Sequence, residues 1–111
     1  MYYVRKRMEI AGAHNLTLDY ESKCSNIHGH NWIVTVHCCS RELDKNGMVY
    51  DFTHLKKNIH GKLDHAYINE VVEMNPTAEN IAKWIADQVG ETCYMVEVQE
   101  SEGNIATWRR D

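Results

Sequence analysis

The sequence has little of several residue types, and each shortage excludes a class of protein. A single proline and six glycines among 111 residues exclude collagen-like and low-complexity chains, and a 43% hydrophobic content excludes a disordered one. No apolar run approaches the roughly 20 residues that a membrane helix needs, and the first residues lack the apolar stretch of a secretory signal. The sequence therefore predicts one domain, residues 1–111, located in the cytoplasm.

Basic charge is also scarce. Twelve lysines and arginines face 16 aspartates and glutamates, which gives a net charge of −4 with neutral histidines. Without clustered cations, neither a nucleic acid nor an anionic membrane is an expected partner. Neighbouring Cys38 and Cys39 would point to opposite faces of a strand, which argues against a disulfide framework. Free thiols are the expectation in a reducing cytosol.

Hydrophobic patterning predicts the element order β-β-α-α-β-β. Alternating β-branched and aromatic residues indicate strands, whereas apolar residues at helical spacing indicate helices. Capping residues and Gly90 mark the helix ends. The fold class is therefore α+β, a four-stranded antiparallel sheet with two helices on one face. The predicted strands are Tyr2–Ile10, Asn31–Cys39 (beginning near His28), a short extended piece Met48–Tyr50, Cys93–Gln99 and Ile105–Arg109, and the predicted helices are Phe52–Leu63 and the segment from Pro76–Thr77 to Gly90.

The most specific local feature is a histidine pattern. His28 and His30 flank a glycine, so in an extended chain both imidazoles lie on one face and can clamp a divalent metal. His14, just past the end of the first predicted strand, is the natural third ligand. Three imidazoles without a fourth protein ligand leave the open position that is typical of catalytic zinc. The alternative is a surface turn with incidental histidines.

Other residues are candidates for proton transfer or binding. Cys24 lies four residues before His28, and its thiol could act as a base, serve as a fourth metal ligand, or have no role. Asp64 and His65 could form an acid–base pair if the carboxylate accepts the ring proton, although adjacent side chains usually diverge. Glu100, near a strand end, could bind neighbouring N–H donors or be solvated. The remaining histidines are expected to be surface or helix-face polar residues: His37, His54 and His60.

Six sequence blocks follow one another along the chain: Ala13-His14, Cys24-x-x-x-His28-Gly-His30, Tyr50-Asp-Phe52 with Leu55-Lys56, Leu63-Asp-His65-x-x-Ile68-Asn69, Asn75-Pro-Thr-Ala-Glu-Asn-Ile-Ala82 and Val98-Gln-Glu-Ser101. In this order they resemble the 6-pyruvoyltetrahydropterin synthase family, and more narrowly the bacterial and archaeal 6-carboxytetrahydropterin synthases of the queuosine route. The sequence departs from the family pattern at Ile10, where an aromatic residue is usual, and at Gly12, which replaces an alanine.

This resemblance implies an assembly and a reaction. The family has a tunnelling fold (T-fold), in which three subunits join their sheets into a barrel and two trimers stack into a homohexamer. The implied reaction converts 7,8-dihydroneopterin triphosphate to 6-carboxy-5,6,7,8-tetrahydropterin with release of acetaldehyde and triphosphate. The alternatives are a 6-pyruvoyltetrahydropterin synthase, another dihydroneopterin-processing lyase, and a non-catalytic zinc-binding or pterin-binding module.

The resemblance also implies residue roles. Zn²⁺ would be bound by His14, His28 and His30, Cys24 would be the base, and His65, oriented by Asp64, would relay protons. Glu100 would hold the pterin through its 2-amino and ring N–H groups, since a carboxylate matches that pair of donors. Thr77 and Glu79 would line the pocket, although a helix N-cap and a favourable first-turn charge explain them equally well.

Overall fold

The computed structural model describes all 111 residues, and a five-stranded sheet organises the chain. The strand order across the sheet is β3-β1-β2-β4-β5. The short β3 pairs with β1 in parallel, whereas the other neighbouring strands are antiparallel. The strands are β1 Tyr2–His14, β2 His28–Ser40, β3 Ala66–Tyr67, β4 Cys93–Ser101 and β5 Asn104–Arg109.

The helical segments lie between β2 and β4. The carboxylate of Asp51 caps the first of them by accepting the backbone N–H of Thr53 at 2.8 Å. The longest helix begins after Thr77, whose hydroxyl accepts the N–H of Asn80 at 3.1 Å, and it ends at Gly90 with a φ of 101°. The segments are α1 Phe52–Leu55, a π-helical turn Lys56–His60, α2 Gly61–Leu63, α3 Ile68–Val71 and α4 Ala78–Val89, and a 3₁₀ turn Lys23–Ser25 precedes β2.

The core lies between one face of the sheet and the helices. Alternate residues of β1, β2 and β4 point into it, as the period of two requires. Eighteen buried apolar residues form one continuous cluster, which suffices for a domain of this length. Its members include Met8, Ile10, Trp32, Val34 and Val98 from the sheet and Leu55, Ile59, Leu63, Ile81 and Ile85 from the helices.

The α+β class and the four long predicted strands are confirmed, with three differences in detail. β1 continues past Ile10 to His14, because pairing with β2 holds the strand in place where Ala11, Gly12 and Ala13 have little strand propensity of their own. The two-residue β3 was not predicted. The predicted extended piece Met48–Tyr50 was wrong, since this segment forms no strand.

Two features of the sheet remain uncovered in a single chain. β3 pairs only with Gly12 and Ala13, so the edge of β1 from Tyr2 to Ala11 has no neighbouring strand. β5 lies at the opposite edge of the sheet.

The four cysteines are unpaired, and Cys38 is buried while Cys39 is half-buried. None of the helices is long and apolar enough to cross a membrane.

Candidate metal centre

Three histidines meet at one end of the β1–β2 pair. His14, the last residue of β1, is directly opposite His28, the first residue of β2, and Gly12 is opposite His30. Directly paired residues and residues two apart share a face of the sheet, so the three imidazoles project to the same side. Their potential ligand atoms all lie within 4.8 Å of one another. The structure thus brings together the three histidines that the sequence spacing predicted as neighbours.

Backbone carbonyls orient two of the three rings. Nδ1 of His14 lies 2.8 Å from the carbonyl oxygen of Pro76, and Nδ1 of His28 lies 2.7 Å from that of Asn26. Because a carbonyl only accepts, each Nδ1 donates a proton and leaves Nε2 with a lone pair. This is the outer hydrogen bonding that metal-binding histidines require.

The inner nitrogens of the cluster have no hydrogen-bond partner. Nε2 of His14 and Nε2 of His30 are both buried and unpaired, which is costly for a polar atom in the absence of a ligand. Burial lowers the pKa of His14 below its ordinary value, which favours the neutral, ligating form. Two nitrogens without a hydrogen-bond partner and a third imidazole beside them therefore fit a divalent metal ion as ligands.

Trp32 forms the inner wall of the cluster. Its indole N–H donates to the carbonyl oxygen of Gly12 at 3.1 Å, and its side chain is almost fully buried. The ring centroid lies 4.8 Å from that of His14 and 5.2 Å from that of His30, with edge-to-face geometry in both cases. The indole therefore excludes water from the core side of the cluster.

Glu100 faces the cluster from β4. Its Oε1 lies 3.6 Å from Nε2 of His30, and its Oε2 lies 4.0 Å from Nε2 of His14. Glu100 also lines a cavity of about 640 Å³ together with Thr77 and Glu79. The Thr77 hydroxyl serves as the N-cap of α4, and Glu79 is an exposed residue of the first turn. Helix capping and the first-turn charge therefore explain these two residues as well as ligand binding does.

Asp64 and His65 lie in the turn between α2 and β3. Asp64 Oδ1 accepts the backbone N–H of Ala11 at 2.9 Å, and this bond lowers the pKa of the carboxyl group. Asp64 Oδ2 is 3.6 Å from Nε2 of His65, beyond hydrogen-bond distance. The His65 side chain is 84% exposed, and the residue has a φ of 56°. It lines a second cavity, of about 530 Å³, with His30.

Cys24 lies in the 3₁₀ turn that precedes β2. Its N–H donates to the hydroxyl of Ser22 at 3.1 Å, and its carbonyl accepts the N–H of Leu16 at 2.9 Å. The half-buried thiol is unpaired, and Cys24 is not a member of the histidine cluster.

Sequence reasoning missed two histidine–carboxylate contacts. His37 is buried and lies 2.7 Å from the carboxylate of Glu97, so the expectation of a surface or helix-face residue was wrong for it. Nε2 of His60 lies 3.6 Å from Oδ2 of Asp64, the same oxygen that lies 3.6 Å from Nε2 of His65. This carboxylate oxygen is therefore close to two imidazoles. The i, i+4 spacing of His60 and Asp64 was the available signal.

Two asparagines that were predicted only as parts of motifs hold the chain next to the metal centre. The side-chain amide of Asn69 bonds both the N–H and the carbonyl of Asn15, at 3.0 and 2.9 Å. The amide of Asn75 does the same to Thr17, at 2.9 and 3.1 Å. The segment that follows His14 is therefore fixed at alternate residues.

Comparisons with known proteins identify the family. The family model described as 6-pyruvoyl tetrahydropterin synthase matches residues 3–111. The chain is 31% identical to a 6-carboxy-5,6,7,8-tetrahydropterin synthase of Bacillus subtilis (strain 168), over 97% of this chain and 85% of that protein. It is 41% identical to a dihydroneopterin monophosphate aldolase of Pyrococcus furiosus, over 57% of this chain and 55% of that protein.

A solved structure supports the same assignment. The 6-pyruvoyl tetrahydropterin synthase of Caenorhabditis elegans has a TM-score of 0.76 with this chain at 27% identity, over 99% of this chain and 96% of that one. The fold and the sequence match therefore agree from one end of the chain to the other. We conclude that the chain is an enzyme of the 6-pyruvoyl tetrahydropterin synthase family, a pterin-processing lyase.

Proposed function

We propose that the chain is a zinc-dependent 6-carboxy-5,6,7,8-tetrahydropterin synthase, which converts 7,8-dihydroneopterin triphosphate and one water molecule to 6-carboxy-5,6,7,8-tetrahydropterin, acetaldehyde and triphosphate. The observation that carries the proposal is the histidine cluster, in which two buried Nε2 atoms have no partner and the ligand atoms lie within 4.8 Å of one another. Three imidazoles match the nitrogen ligands of catalytic zinc. A bound zinc ion would act as a Lewis acid on side-chain oxygens of the pterin and acidify the adjacent C–H.

Cys24 is proposed as the base that removes the side-chain proton of the substrate. Its thiol is unpaired and half-buried, and it does not belong to the histidine cluster, which supports a role separate from metal binding. His65, beside the carboxylate of Asp64, is proposed to return protons. The bond from Ala11 N–H keeps Asp64 ionised and fixes its position against β1.

Glu100 is proposed to bind the pterin ring. It lines the larger cavity, and both of its oxygens can accept from the 2-amino and ring N–H groups of a pterin. Thr77 and Glu79 line the same cavity and are proposed to contact the substrate at its edge.

The active form is proposed to be a homohexamer, built as a dimer of trimers. The open edges of β1 and β5 support it, because unpaired strand edges are normally closed by pairing or covering. The exposed side chain of His65 supports a site that a neighbouring subunit completes. Light scattering that gives a stable monomer at micromolar concentration would contradict this assembly. The reaction is proposed to take place in the cytoplasm, where the four unpaired cysteines would remain reduced.

The test is product analysis by mass spectrometry after incubation of the zinc-loaded protein with 7,8-dihydroneopterin triphosphate. We expect 6-carboxy-5,6,7,8-tetrahydropterin together with acetaldehyde. A His28→Ala variant should lose both the metal and the products, and full zinc content in that variant would refute the ligand set. A second reaction, aldol cleavage of a dihydroneopterin phosphate, is favoured by the 41% identity to the aldolase over 66 residues, and it would give a different pterin product.

A further inference from the structure

The carboxylate of Glu100 is aimed at the two nitrogens that lack partners. Each of its oxygens faces a different imidazole, Oε1 facing Nε2 of His30 at 3.6 Å and Oε2 facing Nε2 of His14 at 4.0 Å. Both nitrogens are buried and make no hydrogen bond. The Glu100 side chain is 28% exposed, so most of it is withdrawn from water.

These facing atoms do not satisfy each other. Nδ1 of His14 donates to the carbonyl oxygen of Pro76, so Nε2 of the neutral ring presents a lone pair. An ionised carboxylate also presents only lone pairs, and both separations exceed hydrogen-bond distance. Nε2 of His14 and Oε2 of Glu100 are therefore opposed acceptors in a partly buried site, which is unfavourable unless a cation lies between them.

The spacing is close to that of ligands sharing one ion. In a tetrahedral zinc site, bonds of about 2.0–2.2 Å to nitrogen and oxygen place neighbouring ligand atoms roughly 3.4 Å apart. The distance from Glu100 to His30 is 3.6 Å, and the distance to His14 is 4.0 Å. These two separations exceed that value by about 0.2 and 0.6 Å, so a small adjustment of the side chain would bring a carboxylate oxygen into the coordination sphere.

We propose that Glu100 is the fourth metal ligand of the substrate-free protein, and that the pterin displaces it from the metal. This rests on the proposed function, in which the same carboxylate binds the N–H groups of the pterin ring. Ring binding would then open the fourth coordination position at the moment when the substrate side chain arrives. Until that moment, the position would be closed to water.

The experiment uses cobalt(II) in place of the native metal, because its absorption spectrum reports the ligands that are present. If Glu100 occupies the fourth coordination position, the metal has no water ligand that could ionise. We therefore expect the wild-type spectrum to stay constant between about pH 6 and pH 9. In Glu100→Gln, a water would complete the site, and since a metal-bound water ionises near pH 7 the spectrum should change with pH. Cobalt affinity should fall at least about tenfold, as expected for a lost contact at a metal centre.

The matched control is Glu102→Gln. It removes the same charge from an exposed residue two positions further along the chain, and it should keep the wild-type spectrum and affinity. A pterin that lacks the C6 side chain provides a test without any variant. Added to the wild-type protein, it should draw Glu100 away from the metal and make the spectrum pH-dependent.

Several results would overturn the proposal. A wild-type spectrum that already changes near neutral pH would show that water, and not Glu100, completes the site. A Glu100→Gln spectrum identical to the wild type, or no effect of the pterin, would also refute the displacement. Failure of the wild-type chain to bind cobalt or zinc would overturn the proposed function as well. Tight metal binding by both proteins, with a Glu100→Gln spectrum that does not differ from the wild-type spectrum at any pH, would overturn only the role of Glu100.

Discussion

Replacing Trp32 with phenylalanine tests how much the indole contributes to the metal end of the sheet. The change removes the N–H that donates to the Gly12 carbonyl at 3.1 Å, and an intramolecular hydrogen bond contributes about 0.5–1.5 kcal/mol. It also removes two buried carbon atoms, at about 0.8 kcal/mol each. We therefore expect the free energy of unfolding to fall by about 3 kcal/mol, which corresponds to a drop in Tm of roughly 12 °C for a chain of this length.

The assay is urea unfolding of the metal-free protein at a fixed protein concentration, since an oligomer gains apparent stability with concentration. Trp108→Phe is the matched control, because that indole is half-buried and donates no hydrogen bond. It should cost about 1 kcal/mol or less. Equal losses in the two variants would refute the assignment of stability to the Trp32–Gly12 bond. In the metal-loaded protein, Trp32→Phe should also weaken zinc binding, because the rings of His14 and His30 lose the surface they pack against.

Three further predictions concern the thiol, a carboxylate and a glycine. The Cys24→Ala variant should keep its zinc and its Tm, while its turnover falls about a hundredfold or more because a proton-transfer group is lost. Loss of zinc, measured by elemental analysis, would instead indicate that Cys24 is a metal ligand. The pKa of Asp64 lies below its ordinary value, so its stabilisation is present above that value and lost as the pH falls through the folded pKa. The difference in Tm between wild type and Asp64→Asn should therefore shrink between pH 7 and pH 2.5, and a constant difference would count against the Ala11 bond as its source. Gly12→Ala should cost about 1–3 kcal/mol in urea unfolding, because a Cβ there meets Ile68 Cδ1 at 3.0 Å and the Leu63 carbonyl at 3.3 Å. Gly29→Ala, whose Cβ has nothing nearer than 3.9 Å, should cost little, and equal costs would refute the steric argument.

The sequence predicted the parts of the fold that local periodicity determines. The stripe of α4 and its boundaries at Thr77 and Gly90 follow from helical spacing and capping, and both are confirmed. The two-residue β3 could not be found in this way, because only contact with Gly12 and Ala13 makes it a strand. The π-helical turn Lys56–His60 also has no signal in the apolar spacing.

For the candidate site, the period-two spacing predicted that His28 and His30 lie on one face. That His14 lies directly opposite His28 depends on the register of β1 and β2, which the spacing does not give. The direction of each ring could not be predicted, since it depends on the carbonyls of Pro76 and Asn26. The position of Glu100 against the two inner nitrogens likewise results from the pairing of β4 with β2. Residues that are distant in sequence meet here through sheet pairing, and single-sequence patterns do not encode that pairing.

Hydrogen bonds fix both ends of the loop between β1 and β2. Leu16 N–H bonds the Cys24 carbonyl, and Asn75 holds Thr17 on both sides of its backbone. A change of length within residues 18–22 would therefore be absorbed beyond these fixed points, at an entropic cost that grows only slowly with loop length. Evolution could lengthen or shorten this loop to reshape substrate access while both histidine-bearing strand ends keep their register.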